Sequence, residues 1–271
     1  LAGRRDEPEI RWLGHAGFRI RWGDTVLLTD PNLSPWCTLS RRVLAPTPDP
    51  LEIGPVDAVL ISHAHFDHLD LPTLRSLVSI GTLALPSGNE HVVADEKRLA
   101  ARVLPLVAGD GFRVGELEVI AVPAAHNSGR LHPFATSSTG LGYVIRRADE
   151  ALYFAGDTGF RNDFESIGRA YHPRIAILPI GAYAPRFPLS RYHLNPEEAV
   201  AAARRVGAEL VIPAHFGTFT LSLDRPDLAL PRFAHAAAAA ELDWAMPRLL
   251  GAAGLETGPA DRADGLAVSV R

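Results

Sequence analysis

An α/β domain, with sheets packed face to face and helices on the outside, is the fold class the sequence predicts, on three observations. Apolar runs of strand length recur along the chain, several directly followed by helix-start signals. With 47% hydrophobic and 21% charged residues in 271, there is enough apolar material for a sizeable core. No repeat with a period of about 20–50 residues and no linker divides the chain, so residues 1–271 are expected to form one domain.

The elements follow in order. Glu9 to Trp12, Ala16 to Trp22 and Thr25 to Thr29 have strand patterning, the last two joined by a Gly23-Asp24 turn. Pro31 to Pro50, with five prolines and no period, is expected to be a long irregular loop of the kind that serves function. Val56 to Ile61 is a buried strand by its continuous apolar run, and Leu71 to Val78 a short helix with Pro72 in its first turn. Thr82 to Leu85 predicts a strand, and Asn89 to Ala101 a helix capped by Asn89. Hairpins are expected around Gly115, within Phe112 to Val122, and around Asp149-Glu150, between Leu141–Arg147 and Ala151–Ala155. Phe160 to Tyr171 predicts a helix and Ile175 to Leu178 a buried strand. Asn195-Pro196-Glu197-Glu198 is a capping-box start for a helix running to Val206 and closed by Gly207. Glu209 to Ile212 predicts a strand, Asp227 to Trp244 a helix, and Leu266 to Val270 a last strand.

Charge and composition exclude several classes. A net charge of -4 without a basic run argues against a nucleic-acid partner. One cysteine, Cys37, excludes an internal disulfide framework and fits a reducing compartment. No apolar stretch reaches the roughly 18–20 residues that span a bilayer, and Leu1 to Glu9 is polar, so the cytoplasm is the expected location.

The chemistry is concentrated in Ser62-His63-Ala64-His65-Phe66-Asp67-His68, directly after the buried strand. Three histidines and an aspartate in six residues arise by chance in roughly one chain of this length in a thousand. At a strand end alternate residues point the same way, so His63 and His65 can meet one metal, while Asp67 and His68, beyond the turn, can reach a second. Three further strand ends carry metal-type side chains: His126 after Val119-Ile120-Ala121-Val122, Asp157 after Leu152-Tyr153-Phe154-Ala155, and His215 after Leu210-Val211-Ile212. The remaining histidines His91, His132, His172 and His235 lie in no motif.

With H-x-H-x-D-H followed by His126, Asp157 in AGDTG and His215, the chain resembles the metallo-β-lactamase-fold hydrolases. Trp12-Leu13-Gly14-His15-Ala16, Leu28-Thr29-Asp30-Pro31, Pro179-Ile180-Gly181-Ala182-Tyr183 and His193-Leu194-Asn195-Pro196-Glu197-Glu198 make it similar to the branch of N-acyl-phosphatidylethanolamine-hydrolysing phospholipase D. The resemblance implies a four-layer αββα sandwich with two divalent ions at one edge. His63, His65 and His126 would hold the first, Asp67, His68 and His215 the second, and Asp157 would bridge them. Zinc is the expected metal, and the mixed nitrogen and oxygen donors also suit manganese or iron.

The mechanism expected is attack by a metal-bridging hydroxide, oriented by Asp67 or Asp157, on a phosphodiester; a lactone or other ester is the alternative. No G-x-S-x-G elbow competes with it. Asp30 is expected to accept the free ring N–H of a ligand histidine, and His193 to protonate a leaving group or contact phosphate. His15, Tyr183 and Tyr192 are expected near the site or its pocket, with Arg186 pairing to phosphate. Loops at Pro31–Pro50, Gly129–Thr136 and Pro185–Tyr192, with Trp36, Leu39, Phe134 and Phe187, would wall a small-molecule or lipid-like substrate, with contact to a membrane surface. A nuclease and a metal-binding scaffold without catalysis are the readings from other classes.

Overall fold

The computed structural model describes residues 7–44, 47–96, 98–130, 139–161 and 163–250. Three antiparallel strands open the chain: β1 (Glu9–Gly14), β2 (Gly17–Trp22) and β3 (Thr25–Thr29). A two-rung hairpin, β4 (Trp36–Cys37) with β5 (Ser40–Arg41), and a helical turn, α1 (Pro50–Ile53), interrupt the stretch expected to be irregular. Then β6 (Val56–Leu60), α2 (Leu71–Ser76), β7 (Ile80–Pro86) and β8 (Arg102–Leu106) add three parallel strands beside β3.

The second half repeats that plan. β9 (Gly111–Val114), β10 (Leu117–Asn127), β11 (Thr139–Arg147) and β12 (Glu150–Phe154) run antiparallel. Helix α3 (Asp163–Tyr171) crosses to β13 (Ile175–Pro179), α4 (Arg186–Leu189) and α5 (Pro196–Val206) lead to β14 (Leu210–Ala214), and α6 (Pro226–Ala239) leads to β15 (Asp243–Trp244). These last strands are parallel to β12. Parallel neighbours cannot be joined by a tight turn, so the meander in each half ends where crossovers begin.

The layers follow from which residues are apolar on both faces. Phe18, Ile20, Trp22 and Leu27 of the first sheet pack against Leu117, Val119, Tyr143 and Ile145 of the second, filling the space between the sheets. Leu28, Val59, Leu83 and Leu85 point the other way and are covered by Leu69, Leu74 and Leu77. Phe164 and Ile167 of α3, Val200 and Ala203 of α5 and Phe233 of α6 cover the outside of the second sheet. The result is the expected αββα sandwich. Among the described residues no helix is long and apolar enough to cross a membrane.

The α5 start forms as its sequence predicts: Asn195 Oδ1 accepts from Glu198 N at 2.8 Å, Glu198 Oε2 accepts from Asn195 N at 3.1 Å, and Gly207 closes the helix at φ 77. Such a cap is worth about 1 kcal/mol. Two expectations are corrected. The helix from Asn89 to Ala101 shrinks to a 3-10 turn at Glu90–Val92, because the Asn89 amide donates to Ser128 Oγ (2.8 Å) and Pro86 O (3.2 Å) instead of capping, and the chain must reach β8. The helix expected to reach Trp244 ends at Ala239, since Asp243 and Trp244 pair with Leu210 and Val211. The strand expected at Leu266–Val270 lies outside the described residues.

Candidate metal centre

The metal-type side chains collect where strands end. Asp30 follows β3, the 62–68 segment follows β6, His126 lies near the end of β10, Asp157 follows β12 and His215 follows β14. This is the edge where parallel strands of open α/β sheets bind ligands. Between Pro123 and Asn127 the β10–β11 register shifts, an irregularity of the kind that re-aims a side chain, here His126. His15, Asp30 and His215 hold left-handed backbones at φ 55, 33 and 59, a conformation few non-glycine residues adopt and one that clusters at functional sites. Gly156 has φ 60, and a Cβ there would stand 2.5 Å from Ser62 Cβ, so the turn presenting Asp157 admits only glycine.

His63, His65 and His126 form the first set, with ligand atoms within 4.8 Å of one another. The proton positions follow from the partners. Asp30, buried and acceptor-only as a carboxylate, takes the Ser62 hydroxyl hydrogen at 2.5 Å. Ser62 Oγ must then accept from His63 Nδ1 at 2.9 Å, leaving His63 Nε2 a bare lone pair. His126 Nδ1 donates to Asn127 O at 2.7 Å, leaving its Nε2 bare as well. His63 Nε2 stands 2.9 Å from His65 Nδ1, a separation that needs a shared proton or cation between them. Burial, followed by the neighbouring imidazoles, pushes His63 well below the usual histidine range and His65 to about 4. Burial, then His193, takes His126 to about 4. All three are neutral donors at neutral pH.

The second set is Asp67, His68 and His215, which cluster with His15, their candidate ligand atoms within 4.8 Å of one another, while Asp157 clusters with His126 and His193. Asp30 Oδ2 takes His68 Nδ1 at 2.7 Å and Asp30 Oδ1 takes Ser62 N at 2.7 Å. Asp67 Oδ2 lies 3.2 Å from His68 Nε2 and 3.4 Å from His215 Nε2; Asp157 Oδ2 lies 3.3 Å and 3.1 Å from the same two nitrogens. Four donors about 2.0–2.1 Å from one ion at tetrahedral corners stand roughly 3.3–3.4 Å apart. These four separations are compatible with that spacing and equally with histidine–carboxylate ion pairs. Among the described residues, His68 Nε2, His215 Nε2 and Asp157 Oδ1 are buried without a hydrogen bond of regular geometry, the two nitrogens facing only the Asp67 and Asp157 carboxylates. Burial disfavours a charged His68, yet Asp67, Asp157 and Asp30 outweigh it and raise its pKa well above the usual value. Burial is likewise outweighed by Asp157 and Asp67 at His215, raised to about 9. Against burial, His68 holds Asp67, and His215 with His68 holds Asp157, well below the carboxylate range.

On the first-set side, Asp157 Oδ2 is 4.0 Å from His126 Nε2 and 3.6 Å from His193 Nδ1, so this one carboxylate faces both sets. Among the described residues His193 Nδ1 is buried with no hydrogen-bond partner, and burial lowers the ring to about 4. Tyr192 lies edge-on to His126, ring centroids 5.9 Å apart.

Two expected contacts are corrected. Arg186 does not face a phosphate: its Nη2 is bidentate on Glu198 at 2.6 and 2.7 Å and its Nη1 donates to His193 O at 3.1 Å, so it braces the His193 segment against α5. Tyr183, expected as a pocket wall, is buried in the core with the Arg232 guanidinium 4.9 Å above its ring. Among the expected wall residues, Trp36, Leu39 and Phe187 are 55%, 95% and 78% exposed, which removes packing onto the core as their role. Phe134 lies outside the described residues.

Two arginines went unnoticed in the sequence. Arg130 donates to Ala64 O at 3.1 Å and to Leu69 O, and its guanidinium lies 4.0 Å from the Phe66 ring, gripping the 62–68 segment at both ends. Arg42 is buried and donates to Leu13 O (2.5 Å) and Asn32 O (2.9 Å). Neither has a local motif; only long-range folding brings them there.

The β-lactamase superfamily domain matches residues 25–216. An uncharacterized protein of Mycobacterium tuberculosis is 36% identical over 226 residues, covering 79% of this chain; the chain spans 59% of that relative's length. A UPF0173 metal-dependent hydrolase of Methanopyrus kandleri is 34% identical over 221 residues, 78% of this chain and 84% of that one. Among solved structures, Igni18, a metallo hydrolase from Ignicoccus hospitalis, superposes with TM-score 0.68 at 23% identity, over 89% of this chain and 95% of that one.

Proposed function

The chain belongs to the UPF0173 metal-dependent hydrolases of the β-lactamase superfamily, and from that premise we propose that it hydrolyses a phosphodiester, in the manner of a phospholipase D, with two divalent ions held at one sheet edge. One observation carries the two-ion part of the reading: Asp157 Oδ2 lies 3.1 and 3.3 Å from the second set and 4.0 Å from His126 of the first. His63, His65 and His126 would hold the first ion, Asp67, His68 and His215 would hold the second, and Asp157 would face both; zinc would suit the imidazole-rich donors. Bound there, the ions supply Lewis acidity to a phosphoryl oxygen and bring the pKa of water from near 16 toward about 7.

The chain's own groups do the rest. Asp67 and Asp157, held ionised, accept a hydrogen bond from the attacking water and keep its lone pair on the substrate. His193, neutral by burial, takes the proton that the attacking water loses as its oxygen bonds to phosphorus and gives it to the oxygen that leaves, so it is not a preformed acid. Trp36, Leu39 and Phe187, exposed on the loops expected to wall the pocket, suit an acyl or aromatic part of a lipid-like substrate.

A lactone or carboxylic ester is the second reading. Arg42, Arg130 and Arg186 spend their guanidinium groups on carbonyls and on Glu198, and an uncharged ester needs none of them for recognition. Elemental analysis of the purified full chain, with turnover of bis(p-nitrophenyl) phosphate beside a simple lactone, separates the two. Metal-dependent phosphodiester cleavage lost in His63→Ala is the expected result. Lactone turnover alone selects the second reading, and no metal-dependent turnover of either removes both.

A further inference from the structure

His15 sits against the second set without belonging to it by motif. Its Nε2 is 2.9 Å from Asp67 Oδ2, a hydrogen-bond length, shorter than the 3.2 and 3.4 Å that separate that oxygen from His68 and His215 Nε2. An ionised carboxylate offers no hydrogen, so His15 Nε2 carries it and has no lone pair there for an ion. The ring is 2% exposed and its position is fixed from the backbone. His15 N donates to Thr218 Oγ1 at 2.7 Å, and His15 O accepts from Trp12 Nε1 at 2.9 Å and from His215 N at 3.0 Å. The ring also lies 3.9 Å, centroid to centroid, from that of His215. One residue thus grips two members of the second set.

We propose that His15 is a positioning residue for that set, its Nε2–H holding the Asp67 carboxylate and its backbone and ring seating His215, so that it governs uptake of the second of the two ions. The inference rests on the two-ion reading above. Among the described residues the other ionic contacts of Asp67 Oδ2 are with the ring nitrogens of His68 and His215, which an ion would itself occupy. The His15 bond is the one that persists once an ion is bound, and partners of this kind typically change metal affinity about 10–100-fold.

The test is a zinc titration of the full chain against a chromophoric chelator, with His15→Phe, which keeps the ring volume and removes the N–H, and His15→Gln, which returns an N–H donor. In His15→Phe the second equivalent should bind about 10–100-fold more weakly while the first is unchanged, and His15→Gln should recover most of the loss. In a His65→Ala background, which disables the first set, the same loss should appear in the single equivalent left. Superimposable His15→Phe and wild-type titrations overturn the proposal. So does equal weakening of both equivalents together with a lowered melting temperature, the mark of a merely structural role. A wild type that takes up one equivalent defeats the two-ion reading itself. Should His15→Phe not fold, nitrogen-15 NMR of the zinc-loaded wild type decides: a protonated His15 Nε2 is expected, and a bare Nε2 on the metal refutes the assignment.

Discussion

The two clusters of side chains in the candidate metal centre are fastened in different ways. In the half built on His63, His65 and His126 the outward nitrogens that can be traced meet neutral groups, the Ser62 hydroxyl and the Asn127 carbonyl. In the half built on Asp67, His68 and His215 the supports are charged: Asp30 behind His68, and Asp67 and Asp157 facing both imidazoles. The consequence is opposite proton affinities a few ångströms apart, with the first imidazoles pushed down and His68 and His215 pushed up. The first half is a set of neutral imidazoles, with His63 Nε2 and His65 Nδ1 sharing a proton. The second can keep its shape with protons in the cation's place.

The largest expected effect abolishes the difference by removing what the halves share. Asp157→Ala should take away both metal equivalents at micromolar metal and lower kcat/KM by about a thousandfold or more, read by elemental analysis and turnover. Retention of one tightly bound equivalent would mean that the halves are independent sites and that Asp157 bridges nothing. A smaller effect sharpens the contrast between supports. Asp30→Asn should weaken the second equivalent by about 10–100-fold, whereas Ser62→Ala should weaken the first by about tenfold or less. Because Ser62 Oγ bonds both Asp30 and His63, equal losses from the two variants in chelator competition would make the centre one network rather than two halves.

What the sequence disclosed follows the same division. Side chains at strand ends were legible because a strand fixes where its last residues point: the structure groups His63 and His65 with His126, Asp67 and His68 with His215, and Asp157 with His126. Asp30 could be anticipated as an acceptor from the LLTDP strand end, though which histidine it serves could not, since β3 meets the 62–68 segment only through sheet pairing. Sheets packed face to face under outer helices were legible from strand and helix alternation, and the four-layer αββα order from the family resemblance. The longer side chains were not. Arg186, Arg130 and Arg42 reach partners chosen by tertiary packing, and a guanidinium has enough reach that its neighbours in sequence say little about its destination. The Asn89 helix failed for a related reason: a cap residue with a competing partner, Ser128, no longer caps.

The smallest effect is a pH dependence in metal-free protein, and it tests the electrostatic half of the contrast directly. His63, His65 and His126 have native pKa values below the unfolded 6.5, so the unfolded chain takes up protons first and stability falls as pH drops below about 6.5 toward 4. For His68 and His215 the sign reverses: their native pKa values are raised, so the stability they contribute is full below 6.5 and lost as pH rises through about 9. Chelator-treated protein should therefore melt highest near pH 6.5, with the melting temperature dropping by a few degrees on either side. Bound metal should flatten the alkaline limb, because a cation then occupies the place the protons held, and should leave the acid limb in place, since acid competes with metal for every imidazole. An alkaline limb that persists in the loaded protein would place the raised pKa values elsewhere and remove the electrostatic distinction between the halves.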